Sequence, residues 1–293
     1  MRDEANQRLV NSTLVEALPA ALARARDNRS ARQLAAAVWL LRRKRDGRFL
    51  GSIHRCADGS YELRPLHGNL STGDAGIDAL LDALGLQRPR RAAHLRTAVA
   101  LRARDTRAAR VAGAVLPVHG LLQRLAELGV DADAYQARHQ LGLVPEPAEL
   151  ALAGRDRYQR PLFLIGPAAR AWTALRTAAA QEGVALDAIS GYRSHDYQLG
   201  IFRRKLARGQ EVAEILRVNT APGYSEHHSG RALDIGTPGE PPAEAGFEAT
   251  PAFAWLQRRA GGFGFVMSYP RGNPHGIVHE PWHWCWRGDA RLS

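Results

Sequence analysis

Apolar positions along residues 1–142 recur mostly at helical spacing, so this stretch reads as a series of amphipathic helices. Ser30 is placed to cap a helix running through WLLRRKR and stopping at Gly47, and Thr72 to cap another over IDALLDALGL that ends near Gly85. Between them, RFLGSIHRC and YELRPL flank Asp58-Gly59, a hairpin signal because glycine accepts the positive φ of a tight turn. Three further helical runs follow, including LLQRLAELG after Pro117, with no repeat period linking them. The segment LVPEPAELALAGRDRYQRP, with Pro145, Pro147, Gly154 and Pro161, reads as a linker, which sets a domain boundary near residue 152. Beyond it, Pro167 opens a helix through AARAWTALRTAAAQE that closes at Gly183, and ALDAIS reads as a short strand. The pattern predicts a mainly α-helical N-terminal domain over 1–152 and a domain mixing helices and strands, of α+β class, over 153–293.

Composition narrows the partners. With 45% hydrophobic and 24% charged residues in 293, the chain falls among ordinary globular proteins, long enough for one large or two medium domains. The net charge of +11 favours acidic partners. Its arginines, such as Arg102, Arg104, Arg107 and Arg110, are scattered through expected helices without aromatic interleaving, so no nucleic acid partner is expected. Cys56 and Cys285 lie far apart and define no disulfide framework. The N-terminus lacks the apolar core of a secretory leader and no run of about 18 apolar residues follows. No transmembrane segment is therefore expected, and the location is expected to be cytoplasmic, or periplasmic if a leader was removed.

Chemistry concentrates in three blocks: SGYRS at 190–194, SEHHSGRALD at 225–234 and EPWHW at 280–284. His227 and Asp234 supply an imidazole nitrogen and a carboxylate oxygen, both good zinc ligands. Their spacing does not match a helical turn, so they must converge from a loop and the strand it feeds. In RALDI the alternation puts Ala232 and Asp234 on one face, with Leu233 and Ile235 on the other. Trp282, Trp284 and Trp286 alternate with His283 and Cys285, setting His283 opposite the tryptophans, and Pro281 bends the chain so that Glu280 can reach the side of His283. Two histidines and one carboxylate leave the fourth position of tetrahedral zinc to water, which is the arrangement of catalysis, with a nearby carboxylate to take the proton.

Together, S-x-H-x6-D, E-P-W-H-W and S-G-Y-R-S resemble the VanY-type D,D- and L,D-carboxypeptidases, zinc enzymes that trim peptidoglycan stem peptides. Gln198 five residues after Arg193, PGYSEHHSG at 222–230 and WLQRRAGGFGFVMSYP at 255–270 agree in order, and the resemblance spans roughly 187–288. It implies Zn2+ held by His227, Asp234 and His283, Glu280 as general base and then general acid, and Arg193 stabilising the oxyanion. Gln198 and Ser225 match positions that contact the terminal D-amino acid, and Trp282 beside the site is a further candidate for substrate contact. The fold implied is a D,D-peptidase and hedgehog-like zinc domain with a small antiparallel sheet. Two departures touch the rim of the pocket: Cys285 follows HW, and GNPHGIVH brings two extra histidines.

The other histidines, His54, His67, His94, His119 and His139, read as structural. His228 rivals His227 as a ligand, but adjacent side chains in extended backbone point apart. Cys285 shares the face of His283, where it is either a metal ligand or a buried inert thiol. The expected reaction is release of a C-terminal D-alanine from stem peptides or muropeptides. An L,D-carboxypeptidase acting on tetrapeptides in muropeptide recycling fits the missing leader, and a D,D-carboxypeptidase acting on pentapeptides is the alternative. A rival from another class is a catalytically silent module that binds cell-wall peptide. For the N-terminal half, amphipathic helices suggest substrate gating or a homodimer.

Overall fold

The segment AVWLLRR forms a strand, β3 (Ala37–Arg43), and not the expected helix. Its apolar residues face two ways: Trp39 and Leu41 join Ile53 and Leu63 in one core, while Leu40 joins Leu18 and Ala20 in another. A strand buried on both faces reads as an unbroken apolar run, which spacing alone does not separate from a buried helix. Strands therefore predominate where a mainly helical domain was expected. The computed structural model describes residues 7–23, 34–66, 70–71, 75–87, 94–95, 99–103, 113–118 and 120–288, and the chain divides into two units, Met1–Leu116 and Pro117–Ser293.

In the first unit, β1 (Arg8–Asn11), β2 (Val15–Pro19), β3, β4 (Phe49–Arg55) and β5 (Tyr61–Pro65) pair in sequence order, and β9 (Val99–Ala103) and β7 (Leu86–Gln87) continue from β5. Every pairing is antiparallel. β6 (Leu70–Ser71) and β8 (His94–Leu95) form a separate short ladder. The expected hairpin is β4–β5, closed by Arg55 opposite Tyr61, with Gly59 at φ 82° and the Asp58 carboxylate accepting from the Ser60 amide at 2.9 Å. The helix expected before Gly85 is α1 (Ala75–Ala83), whose Ile77, Leu80 and Leu81 enter the core that holds Trp39. His54 is structural, its ring nitrogens bonded to Ala36 O at 3.0 Å and Ser52 Oγ at 2.9 Å. Arg102 lies on β9. Ser30, Thr72, Arg104, Arg107, Arg110, His67 and His119, and the side chain of His94, lie outside the described residues.

The second unit begins with α2 (Leu121–Glu127) and α3 (Ala132–His139). Their Leu121, Leu125 and Tyr135 form a core with Leu199, Ala221 and Tyr224, so residues 117–152 pack with the catalytic candidates, well ahead of the boundary read from the sequence. The expected linker contains a hairpin, β10 (Glu149–Arg155) and β11 (Pro161–Leu164). The Asp156 carboxylate closes its turn, accepting from the amides of Tyr158 and Arg160, each at 2.9 Å. Pro161 sits at the first position of its strand, where a missing N–H costs least. α4 (Gly166–Gln181) follows as the sequence predicts, with Pro167 in its first turn.

Then come β12 (Asp187–Ser190), α5 (His195–Leu206), α6 (Val212–Val218), β13 (Ala232–Gly236), α7 (Pro251–Arg259), β14 (Phe265–Met267) and β15 (His283–Trp286). Four strands make an antiparallel sheet in the order β12-β13-β15-β14, as the α+β reading of this half requires. One face of the sheet carries Leu233, Ile235, Trp284 and Trp286 into the main core with Trp172 of α4 and Trp255 of α7. Burying each such side chain stabilises the unit by roughly 1.5–3 kcal/mol. The other face carries Asp234 and His283. Among the described residues no helix is long and apolar enough to cross a membrane.

Candidate metal centre and active site

Asp234 and His283 stand directly opposite each other on β13 and β15, so the alternation that sends Leu233 and Trp284 inward places these two polar side chains together. His227 arrives from a turn of 3-10 helix, Glu226–Ser229, which ends at Gly230 with φ 66°. A Cβ there would lie 2.4 Å from Leu150 Cδ2, so only glycine lets the chain enter β13 this close to β10.

The ligand atoms of His227, Asp234 and His283 lie within 4.8 Å of one another, and all three residues are buried. Asp234 Oδ1 is 3.2 Å from His227 Nε2 and 3.2 Å from His283 Nδ1. Bonds of about 2.0–2.1 Å at tetrahedral angles separate neighbouring ligand atoms by about 3.3 Å, so the three side chains fit a zinc ion. The far nitrogens are held as metal-bound histidines require. His227 Nδ1 contacts Gly191 O at 2.8 Å, and His283 Nε2 contacts Glu226 Oε2 at 3.0 Å.

Burial, aided by the Arg193 guanidinium, lowers His227 to a pKa of about 4, leaving it neutral near pH 7. For His283, burial is outweighed by the flanking Asp234 and Glu226 carboxylates, which push it up to about 9. Asp234 stays well below the usual carboxylate range: burial opposes its charge, but His227 and Arg193 overcome it. Glu226 falls to about 2 because His283, Ser268 and Arg287 outweigh its burial.

Glu280 reaches the same cluster. Its Oε2 lies 3.9 Å from His283 Nδ1, and its backbone N–H is tied to Tyr269 O at 3.0 Å. Burial raises its pKa above the ordinary carboxylate value, as suits a group that must accept and return a proton. Arg193 approaches from the other side: its Nη2 donates to Asp234 Oδ2 and, at 2.9 Å, to His227 Nε2, while its Nε donates to Ser190 Oγ at 2.9 Å.

Gln198 is buried on α5; its amide donates to Thr220 O at 2.5 Å, and its Oε1 is buried with no hydrogen-bond partner among the described residues. Ser225 is buried at the start of the 3-10 turn, its carbonyl accepting from the His228 amide at 3.1 Å. Trp282 is half-buried against the main core, and its carbonyl accepts from the Ile235 amide at 2.8 Å. Both ring nitrogens of His228 are committed, Nε2 to the Gly223 amide at 3.0 Å and Nδ1 to Arg193 O at 2.7 Å, so it braces the backbone and is no ligand. Cys285 is buried, lies outside the metal-ligand group, and has its thiol pushed up to about 12 by burial and by Glu226. The inert-thiol reading therefore holds.

Three contributors escaped the sequence reading. Glu226 looks like one more charge beside a histidine, yet it orients His283 and gathers Ser268, at 2.6 Å, and Arg287. Tyr269 is stacked near the His283 ring with centroids 4.7 Å apart. Glu146, inside the expected linker, is buried; it accepts from the Tyr192 hydroxyl and, at 2.9 Å, from the His195 amide, fixing both flanks of Arg193.

Residues 163–289 match the family model described as "VanY: D-alanyl-D-alanine carboxypeptidase". The chain is 37% identical over 131 residues to "Putative carboxypeptidase YodJ" of Bacillus subtilis (strain 168), covering 41% of this chain and 45% of that protein. It is 34% identical over 96 residues to a D-alanyl-D-alanine carboxypeptidase of Enterococcus faecium, covering 32% of this chain and 27% of that protein. The chain thus spans less than half the length of either relative. Among solved structures, the LdcB LD-carboxypeptidase is similar at 29% identity and a TM-score of 0.46, covering 50% of this chain and 71% of that one. Residues 163–289, which hold all five side chains of the cluster, are thus the part of the chain that is similar to the VanY carboxypeptidases.

Proposed function

We propose that the second unit is a zinc-dependent carboxypeptidase that releases the C-terminal D-alanine from peptidoglycan stem peptides. The observation that carries this reading is the three-ligand cluster at 3.2 Å spacings around Asp234 Oδ1, with Glu280 and Arg193 both reaching it. A zinc ion held by His227, Asp234 and His283 would supply Lewis acidity and make the proton of a water easier to remove near neutral pH. Glu280 takes that proton as the water oxygen bonds to the scissile carbonyl carbon, then hands it to the departing amine as the carbon–nitrogen bond breaks. Arg193 donates to the carbonyl oxygen as negative charge develops on it. Gln198 Oε1, which has no hydrogen-bond partner among the described residues, is suited to accept an N–H of the terminal residue, and Ser225 stands beside His227 to contact its carboxylate. Trp282, half-buried against the core, has only part of its side chain free for such a contact. With ligands, base and cation all assembled, the silent-module reading has no structural support.

Both the D,D bond of a pentapeptide and the L,D bond of a tetrapeptide end in D-alanine. The names of the family and of the Enterococcus faecium relative favour the D,D bond; the L,D bond and a role in muropeptide recycling rest on the sequence expectation alone. Incubating the zinc-loaded full chain with purified tetra- and pentapeptides and weighing the products tests the reading. Loss of one alanine is expected, and the peptide that loses it assigns the bond. Full zinc loading with neither peptide cleaved would overturn the proposal. The homodimer expected through the N-terminal half drew on amphipathic helices, of which WLLRRKR is a strand here while α1, α2 and α3 remain, and no other observation supports it.

A further inference from the structure

Helix α3 and the turn before it precede the residues that match the family model, yet they line a cleft that extends to Glu280. A cleft of about 640 Å³ runs from Val130, Tyr135 and Arg138 past Arg217 and Thr220 to Glu280. That volume suits a ligand larger than a single amino acid. α3, α6 and the loop before Glu280 all line it, and a histidine pair fastens α3 to that loop. His139 Nδ1 contacts His275 O at 2.7 Å, and His275 Nδ1 contacts His139 O at 2.9 Å. His275, one of the two extra histidines in GNPHGIVH, is thus half of a brace between two linings of the cleft.

Two arginines border this cleft from different helices, Arg138 on α3 and Arg217 on α6. Both are exposed, and neither makes an ion pair among the described residues. Asp131 also borders the cleft, but its carboxylate caps α3, accepting from the Ala134 amide at 3.0 Å. The planar guanidinium fork of arginine matches a carboxylate better than any other peptide group. The cation that reaches the metal-ligand cluster is a different one, Arg193.

We propose that Arg138 and Arg217 form a subsite for a second, internal carboxylate of the peptide, which makes the enzyme selective for acidic peptides. The inference rests on the peptide-hydrolase reading above, and its test separates the two. Binding is measured by calorimetry in the Glu280→Gln protein, using two synthetic peptides ending in D-alanine that differ only in whether an internal carboxylate is free or amidated. The free acid is expected to bind about tenfold more tightly. In the added double substitution Arg138→Gln/Arg217→Gln, that preference should fall within about twofold while the amidated peptide binds as before. Circular dichroism checks that the double variant is folded. Equal binding of both peptides, a preference that survives the substitutions, or no binding of either overturns the proposal. Discrimination that persists while the zinc-loaded wild-type chain cleaves nothing would remove the hydrolase reading and leave the subsite standing.

Discussion

Glu226 is the least expected member of the site, and replacing it with glutamine isolates its charge. The amide keeps an acceptor for His283 Nε2, now 3.0 Å from the carboxylate, and Arg287, largely exposed, loses an ion pair of small worth. Loss of an outer partner of a metal-bound histidine weakens metal binding about 10- to 100-fold, and a change that spares the hydrogen bond belongs at the lower end, about 1.4 kcal/mol. Protons complicate the comparison in a way that fixes its sign. In the metal-free protein His283 titrates at about 9, raised by Asp234 and Glu226, so near pH 7 zinc must displace about one proton from it. Zinc affinity of the native chain therefore rises with pH and levels off above about 9. Without the Glu226 charge that pKa falls, so the variant has less proton to displace near pH 7. Its deficit should be small there and reach about tenfold above pH 9. Competition with a chromophoric chelator at both pH values measures this, and calorimetry in buffers of different ionisation enthalpy counts the protons released. A deficit that shrinks as pH rises, or no deficit at either pH, would refute the role given to Glu226.

Two further substitutions test the chemistry and the frame. Glu280→Gln should retain full zinc content while kcat falls by about 10²- to 10⁴-fold, the range of a lost general base; zinc loss in step with activity would instead make Glu280 a ligand. Gly264 has φ 79°, and a Cβ there would lie 2.0 Å from Gly288 O, so Gly264→Ala should destabilise the second unit by about 2 kcal/mol or more, read from the shift of its thermal transition. An unchanged transition would mean the backbone beside β14 is far softer than its contacts imply.

The reactive centre was legible because its parts are tied to short-range pattern. Period-two alternation in RALDI and in the tryptophan run sets Asp234 and His283 on the polar face of the sheet, and both are found there. Partnerships between distant segments were not legible. Glu226 meets His283 across 57 positions of sequence and Glu146 meets His195 across 49, and no local pattern marks either carboxylate as buried. The helical reading of the N-terminal half failed for a different reason. Trp39, Leu40 and Leu41 are buried on both faces of a strand, so the alternation that identifies strands is erased. In the expected linker, prolines and a glycine masked a hairpin whose turn is closed by Asp156.

Metal content of the purified chain tests the account at its centre. The native chain should carry one zinc per molecule, with scattering from two imidazole nitrogens and one carboxylate oxygen at about 2.0–2.2 Å, and Asp234→Ala should carry almost none. An Asp234→Ala chain that folds and holds zinc as tightly as the native one would contradict it.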